Sequence, residues 1–299
     1  MGIVRAIMIG DVVGDPGIDV LSNRLPFLLR EYSADFITVN GENAAGGFGL
    51  TLPCLEKIFA AGADVVTGGN HIWEQRDFWP VLDSEKNVLR PMNYPSESMG
   101  GKTTGKGWVK LEKPALDGKP MTWVVVNLQG REYMSPIDCP FRSFDAFEAA
   151  KEWDSSTITN TSSETPEKSP EHQKMRPFIL VDFHAESSRE KEALAYYLDG
   201  RTSVVAGTHT HVQTADERIL PKGTAYITDL GMTGVMDGVI GMDSKICLDR
   251  ARNQVLYRME VAAGDMTTAG SGGKTSVQGI LAEIDTETGK AVSIKRISA

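Results

Sequence analysis

Residues 178–211 read FILVDFHAESSREKEALAYYLDGRTSVVAGTHTH, and this stretch decides the fold class. The run 178–181 is continuously apolar rather than alternating, which predicts a strand buried on both faces. A helical pattern follows over 188–199. Ser187-x-x-Glu190 opens it as a capping box and Gly200 closes it. A second apolar run, 203–206, comes next. Strand, helix, strand in this order argues for an α/β fold.

Working outward, similar β-branched runs recur at 4–9, 36–39, 64–67, 122–127 and 225–228, and helical patterns at 16–31, 52–61, 74–84 and 141–153, with Gly62 as a further stop. Three later strand candidates, 257–261, 277–284 and 291–297, lie close together with turn residues between them. They predict an antiparallel meander, so the sheets are expected to be mixed. One segment breaks the alternation. Residues 155–174, SSTITNTSSETPEKSPEHQK, hold a single clearly apolar residue, Ile158, and cannot bury enough surface to offset their ordering entropy. The expectation is one domain over residues 1–299 with a disordered surface insertion at 155–174.

The 299 residues can bury a sizeable core without disulfides. Lys and Arg number 31 against 40 Asp and Glu, a net charge of −9. So acidic a chain is a poor non-specific binder of nucleic acid or anionic membrane, although a bound metal could still supply local positive charge for an anion. No eighteen-residue apolar run is present, so no membrane span is expected. The opening MGIVRAIMIGD reads as a first strand rather than a signal peptide, and Ala6 stands where a myristoylation motif wants Ser or Thr. Cys54, Cys139 and Cys247 are odd in number and far apart, which suggests neither a zinc knuckle nor a disulfide framework and points to a reducing cytoplasm.

The chain has five histidines. His172 lies in the polar insertion and reads as solvated. His71, His184, His209 and His211 each fall at or just past the carboxyl end of a predicted strand, the edge where open α/β sheets bind ligands. Asp11, Glu42, Asn43 and Asn70 collect at the same edge. Taken singly, each has an ordinary reading: a turn aspartate, a loop Asn-His, a strand-end His-x-His. Residues i and i+2 of an extended segment face one way, so His209 and His211 are expected to reach one cluster together. Jointly, five strand ends bearing Asp, Glu, Asn and His match the mixed oxygen and imidazole ligands of a pair of divalent metals.

The segments IGDVVGDPG (9–17), VNGENAAGGFGLT (39–51), GADVVTGGNHIW (62–73), NLQGR (127–131), VDFHAE (181–186), GTHTHVQTAD (207–216) and GTAYITDLGMTG (223–234) resemble the calcineurin-like metallophosphoesterase superfamily, and more closely its YmdB-like branch. The likeness runs from about residue 3 to 298, apart from 155–174. Common members of the superfamily have Asp-x-His at the first motif and an Asp-rich second motif. This chain has Asp11-Val12-Val13 and Gly41-Glu42-Asn43, and both departures match the YmdB-like branch.

The resemblance implies a layered α-β-β-α sandwich of two mixed sheets and a cytoplasmic, dinuclear metal-dependent phosphodiesterase acting on 2′,3′-cyclic nucleotides. It implies Asp11, Glu42, Asn43 and His211 around one iron or manganese ion and Glu42, Asn70, His184 and His209 around the other. Glu42 would bridge two ions about 3.5–4 Å apart. His71, with no metal assigned, would act catalytically on the leaving oxygen. A homo-oligomer is also implied. Two rival functions are a phosphomonoesterase or protein phosphatase, and a regulatory protein that binds a nucleotide at its metal site with slow turnover. Residues given an ordinary role are the loop glycines 46, 47 and 49, Arg131 as a structural ion pair, Thr208 and Thr210 as supporting residues, and Trp73, Trp79 and Trp153 as core or interface.

Overall fold

Alternate residues of the first strand, β1 (Ile3–Ile9), are buried in two different cores. Val4, Ala6 and Met8 enter one, Ile7 and Ile9 the other. This two-sided burial explains the continuous hydrophobicity of the strand runs and sets up the layers of the molecule. The computed structural model describes residues 2–95, 97, 98, 101–151, 153, 176–263 and 273–299. The insertion expected at 155–174 and His172 lie outside the described residues.

Strands and helices are numbered in chain order. In the first sheet β1 runs parallel to β3 (Phe36–Asn40), which is parallel to β4 (Val65–Thr67). On its other side β1 is antiparallel to β14 (Thr275–Asp285), which also pairs with β15 (Ala291–Ser298). Beyond the end of β1, β13 (Met232–Val235) pairs with β14, and the short β2 (Asp11–Val12) lies parallel to β13. In the second sheet β8 (Thr122–Gln129), β9 (Phe178–His184), β10 (Val204–Thr208) and β12 (Ala225–Ile227) are parallel. Antiparallel strands β7 (Trp108–Glu112) and β11 (Arg218–Ile219) form its edges. A small hairpin, β5 (Glu97–Ser98) and β6 (Gly101–Lys102), stands apart.

Helices α1 (Gly14–Tyr32) and α2 (Leu52–Ala61) cover the outer face of the first sheet, packing Leu21, Leu25 and Ile58 against Ile7 and Ile9. Helices α4 (Pro140–Ala150) and α5 (Ser188–Leu198) cover the second, with Phe144 and Leu194 against Val124 and Val126. The facing sides of the sheets meet in a third core, where the rings of Phe36 and Trp123 stack 4.6 Å apart. The architecture is the α-β-β-α sandwich of two mixed sheets that was expected.

Four local readings change. The helix expected over 74–84 is a 3₁₀ turn, Arg76–Phe78, followed by α3 (Trp79–Ser84). Pro80 has no N–H and fits only the first turn of a helix, so the helix restarts around it. No strand forms at 257–261, where only Val261 makes an isolated bridge, to Met242. Residues 254–258 are exposed, and besides β1 and β15 the antiparallel partner of β14 is β13 instead. Helix α6 (Ser244–Asn253) was not foreseen, because its sequence, SKICLDRARN, is mostly polar and it buries none of its residues. The capping box at α5 is half made. Ser187 Oγ accepts from Glu190 N at 3.3 Å, but the Glu190 carboxylate accepts from the backbone N–H groups of Arg131 and Glu132 at 3.0 Å.

Candidate metal centre

Five segments bring the candidate side chains to one place. Asp11 follows β1, Glu42 and Asn43 follow β3, and Asn70 and His71 follow β4. His184 ends β9, and His209 and His211 follow β10. These are carboxyl ends of parallel strands from both sheets, which meet at a single edge of the sandwich. Gly69 makes the meeting possible. A Cβ there would lie 2.3 Å from Glu42 Oε2 and 2.4 Å from His184 Nε2.

His184 Nε2 is the focus. It lies 2.9 Å from Glu42 Oε1, 3.0 Å from Asn70 Oδ1 and 3.0 Å from His209 Nδ1. A second group adjoins the first. Asn43 Nδ2 is 3.3 Å from both Glu42 Oε1 and His211 Nε2, and His211 Nε2 is 3.8 Å from Asp11 Oδ1. All seven proposed ligands therefore fall in one connected cluster, with Glu42 touching both halves. The donor set fits divalent metals in two further respects. Asp11 Oδ1 is buried with no hydrogen-bond partner, and Glu42, His184 and His209 offer ligand atoms within 4.8 Å of one another. Ring nitrogens and carboxylate oxygens crowded together are what a cation would hold in place.

The charges respond to this crowding. Burial pushes the Glu42 carboxyl up, but the charge and hydrogen bond of His184, with help from His71, outweigh it and bring it to about 2. Burial works against a charged His184, yet Glu42, Asp11 and Asp182 raise it to about 9. His209 moves the other way, to about 3, through burial and then repulsion from His184. The two ring nitrogens lie 3.0 Å apart, and His184, which faces Glu42, is the more readily protonated of the two. Burial also raises Asp11, and it lifts Asp182 to about 6.

His71 stands at the rim. Its backbone N–H donates to Glu42 Oε2 at 3.0 Å, its Nδ1 is 3.3 Å from Glu74 Oε1, and its ring meets Phe48 edge-on at 5.2 Å. The partly exposed side chain is separate from the ligand group.

The His-x-His geometry differs from the extended segment expected. His209 and His211 have φ of 99° and 64°, so the backbone turns through left-handed conformations after β10. The two rings consequently point to different halves of the cluster: His209 toward His184, His211 toward Asn43. Such conformations cost non-glycine residues about 1–3 kcal/mol and persist only where neighbours hold them. Here His209 N donates to Asp11 Oδ2 at 3.1 Å, and Thr210 N and Oγ1 donate to Asp229 Oδ2 at 3.1 and 2.8 Å. Lys191 Nζ neutralises Asp229 at 2.7 Å, both side chains being buried.

Sequence reasoning missed several supporting residues. Asp182 and Asn40 lie behind the cluster, and Glu186 Oε2 lies 3.2 Å from His209 Nε2. Buried polar residues in otherwise apolar strands, such as Asp182 in FILVDFH, were the available signal. The glycine loop is packed at Gly47 and Gly49, while Gly46 is exposed. Gly49 has φ 82°, and a Cβ there would lie 2.8 Å from Gln75 Cγ. Arg131 meets a carboxylate through its backbone, to Glu190, while its guanidinium lies 3.5 Å from Cys139 Sγ. Trp73 and Trp153 pack partly buried against the cores, and Trp79 is the more exposed.

The YmdB-like protein family matches residues 7–297. A 2′,3′-cyclic-nucleotide 2′-phosphodiesterase of Bacillus subtilis (strain 168) is 42% identical over 294 residues, covering 98% of this chain and 96% of its own. A crystal structure described as a novel phosphatase from Mycoplasma pneumoniae superposes with a TM-score of 0.82 at 30% identity, over 100% of this chain and 94% of that one. The calcineurin-like phosphoesterase YfkN of Bacillus subtilis shares the fold, with a TM-score of 0.51 at 11% identity over 99% of this chain and 90% of that one. The chain belongs to the YmdB-like protein family.

Proposed function

We propose that this protein is a dinuclear metal-dependent phosphodiesterase that opens 2′,3′-cyclic nucleotides at the 2′ ester. The observation that carries the reading is the convergence of Asp11, Glu42, Asn43, Asn70, His184, His209 and His211 at one sheet edge, with Glu42 in contact with both halves of the group. Support for the substrate comes from the family and from the name of the 42% identical relative.

In this reading Asp11, Glu42, Asn43 and His211 hold one divalent ion and Glu42, Asn70, His184 and His209 the other, with iron or manganese best suited to the mixed shell. When bound, the pair supplies Lewis-acid charge against the phosphoryl oxygens. Asp11 and Glu42 are the two carboxylates of the set, so the loaded pocket is positive within an acidic chain and draws in a phosphodiester anion. The two asparagines complete the shells without adding charge.

His71 deals with the leaving group. The ribose 2′ oxygen departs as a strongly basic alkoxide unless a proton arrives in the transition state, and an imidazole can deliver one near neutral pH. Glu74 beside Nδ1 orients the ring, and its partial exposure lets it recover a proton from solvent. The same reading makes the enzyme cytoplasmic and homo-oligomeric. Three free cysteines suit a reducing compartment, and no helix among the described residues is long and apolar enough to cross a membrane.

The test is to load the protein with manganese or iron and offer 2′,3′-cyclic AMP, bis(p-nitrophenyl) phosphate and p-nitrophenyl phosphate. The expected result is conversion of the cyclic nucleotide to the 3′-monophosphate in preference to hydrolysis of the monoester. No turnover of the cyclic nucleotide, or faster monoester hydrolysis, would sink the reading. Light scattering on the eluting protein tests the oligomer.

A further inference from the structure

Beneath the cluster lies a layer of buried polar side chains that the proposed reaction does not use. Its hub is Asp182, on β9 two residues before His184. Its carboxylate receives Thr208 Oγ1 at 2.6 Å, Asn40 Nδ2 at 3.0 Å and the Thr67 hydroxyl. These three donors come from β10, β3 and β4, so the hub ties the two sheets together.

The direction of each bond follows from what each group can do. A backbone N–H only donates, and that of Glu42 meets Asn40 Oδ1 at 3.2 Å, so the amide nitrogen of Asn40 is turned to Asp182. A hydroxyl has one proton. That of Thr208 goes to Asp182 Oδ1, and Oγ1 can then only accept. Its other close partner is His184 Nδ1, at 3.0 Å. His184 Nδ1 must therefore carry a hydrogen, which leaves Nε2 as the nitrogen facing Glu42, Asn70 and His209.

The other two histidines are anchored in the same manner by groups that leave no choice. His209 Nε2 faces the Glu186 carboxylate at 3.2 Å, and His211 Nδ1 faces the Ile240 carbonyl at 2.8 Å. Both partners are acceptors only. His184 alone leans on a hydroxyl, which could either donate or accept, and Asp182 removes that ambiguity. A metal-ligating imidazole needs its far nitrogen held so that the near one presents a lone pair, and loss of such support typically costs 10–100-fold in metal affinity.

We propose that Thr208, oriented by Asp182, is the positioning residue that keeps the His184 proton on Nδ1 and so makes Nε2 the ligand atom. This rests on the metal-site reading above. The experiment uses the full chain loaded with zinc, a diamagnetic probe, with ring-¹⁵N histidine. Wild type should show a His184 Nδ1–H in slow exchange. Thr208→Val should lose that signal and bind zinc about 10–100-fold more weakly. Thr208→Ser, which keeps the hydroxyl, should recover the signal and most of the affinity. Three results would each overturn the proposal: a His184 ring protonated on Nε2 in zinc-loaded wild type; zinc binding by Thr208→Val equal to wild type; or equal weakening in Ser and Val variants with the ring spectrum unchanged. If Thr208→Val fails to fold, the wild-type ring spectrum and the Ser variant still decide. No substrate enters these readings. Failure of the phosphodiesterase reading would look different: zinc bound, the His184 proton fixed on Nδ1, and no cyclic-nucleotide turnover in the manganese- or iron-loaded enzyme.

Discussion

Glu42 touches His184 and Asn43 through one oxygen and the His71 backbone through the other, so its charge serves the whole cluster. Replacing it by Gln keeps the shape and removes the negative charge between two cations. Glu42→Gln should lose one of two metals by elemental analysis and turnover on the order of 10²–10³-fold; two metals with full activity would show that Glu42 is not the bridge. His71→Ala should keep both metals. It should slow ribose esters by about 10²–10⁴-fold and p-nitrophenyl esters much less, since that leaving group departs without a proton. An equal loss on both would return His71 to a structural role. The third expectation concerns pH. Without metal, His184 is raised to about 9 and holds a proton that an entering ion must displace. Metal affinity should therefore rise by up to about tenfold per pH unit from neutrality to about 9 and level off above it. His209, lowered to about 3, is already neutral there and adds nothing to the slope. Calorimetric titration in buffers of different ionisation enthalpy measures the released proton. At this scale the ligand types and their strand-end positions were legible. The left-handed turns at His209 and His211 and the hub at Asp182 were not, because they depend on groups brought from distant strands.

Helix α5 joins element to site. It begins four residues after His184, and Ser187 caps it by accepting from Glu190 N while its hydroxyl bonds Glu132 Oε2 at 2.5 Å. Ser187→Ala should cost about 0.5–2 kcal/mol, seen as a fall of a few degrees in melting temperature with metal content unchanged; an unchanged melt would mean the cap contributes nothing. Glu190, freed from the capping box, secures the backbone of Arg131 and Glu132 after β8. Elements with a strong apolar period, such as α1, α2, β1 and β3, were readable within a residue or two. Two others were not: α6 is mostly polar and buries nothing, and β13 is four residues long and stabilised by β14, about forty residues away.

For the whole molecule, the sandwich depends on both sheets burying one face against each other and one against helices, as the Phe36–Trp123 stack and the α1 and α5 contacts illustrate. Residues 155–174 offer almost no apolar surface to that scheme. Replacing them with a short Gly/Ser join should leave the melting temperature within a few degrees, and a large loss of stability would show that they pack on the body. By itself the sequence determined the α/β class, the two-sided burial of the central strands and the residue types at the ligand edge. Those follow from local hydrophobic patterning and from polar residues ending apolar runs. Only the tertiary structure decided which strand neighbours which, that Pro80 splits a helix turn, and that His209 and His211 serve opposite halves of the cluster. It also decided that Thr208 and Asp182 fix the histidine beneath it. Contacts such as His209 N with Asp11, 198 positions apart, leave no trace in local periodicity, because the groups that hold them meet only once the two sheets have closed on each other.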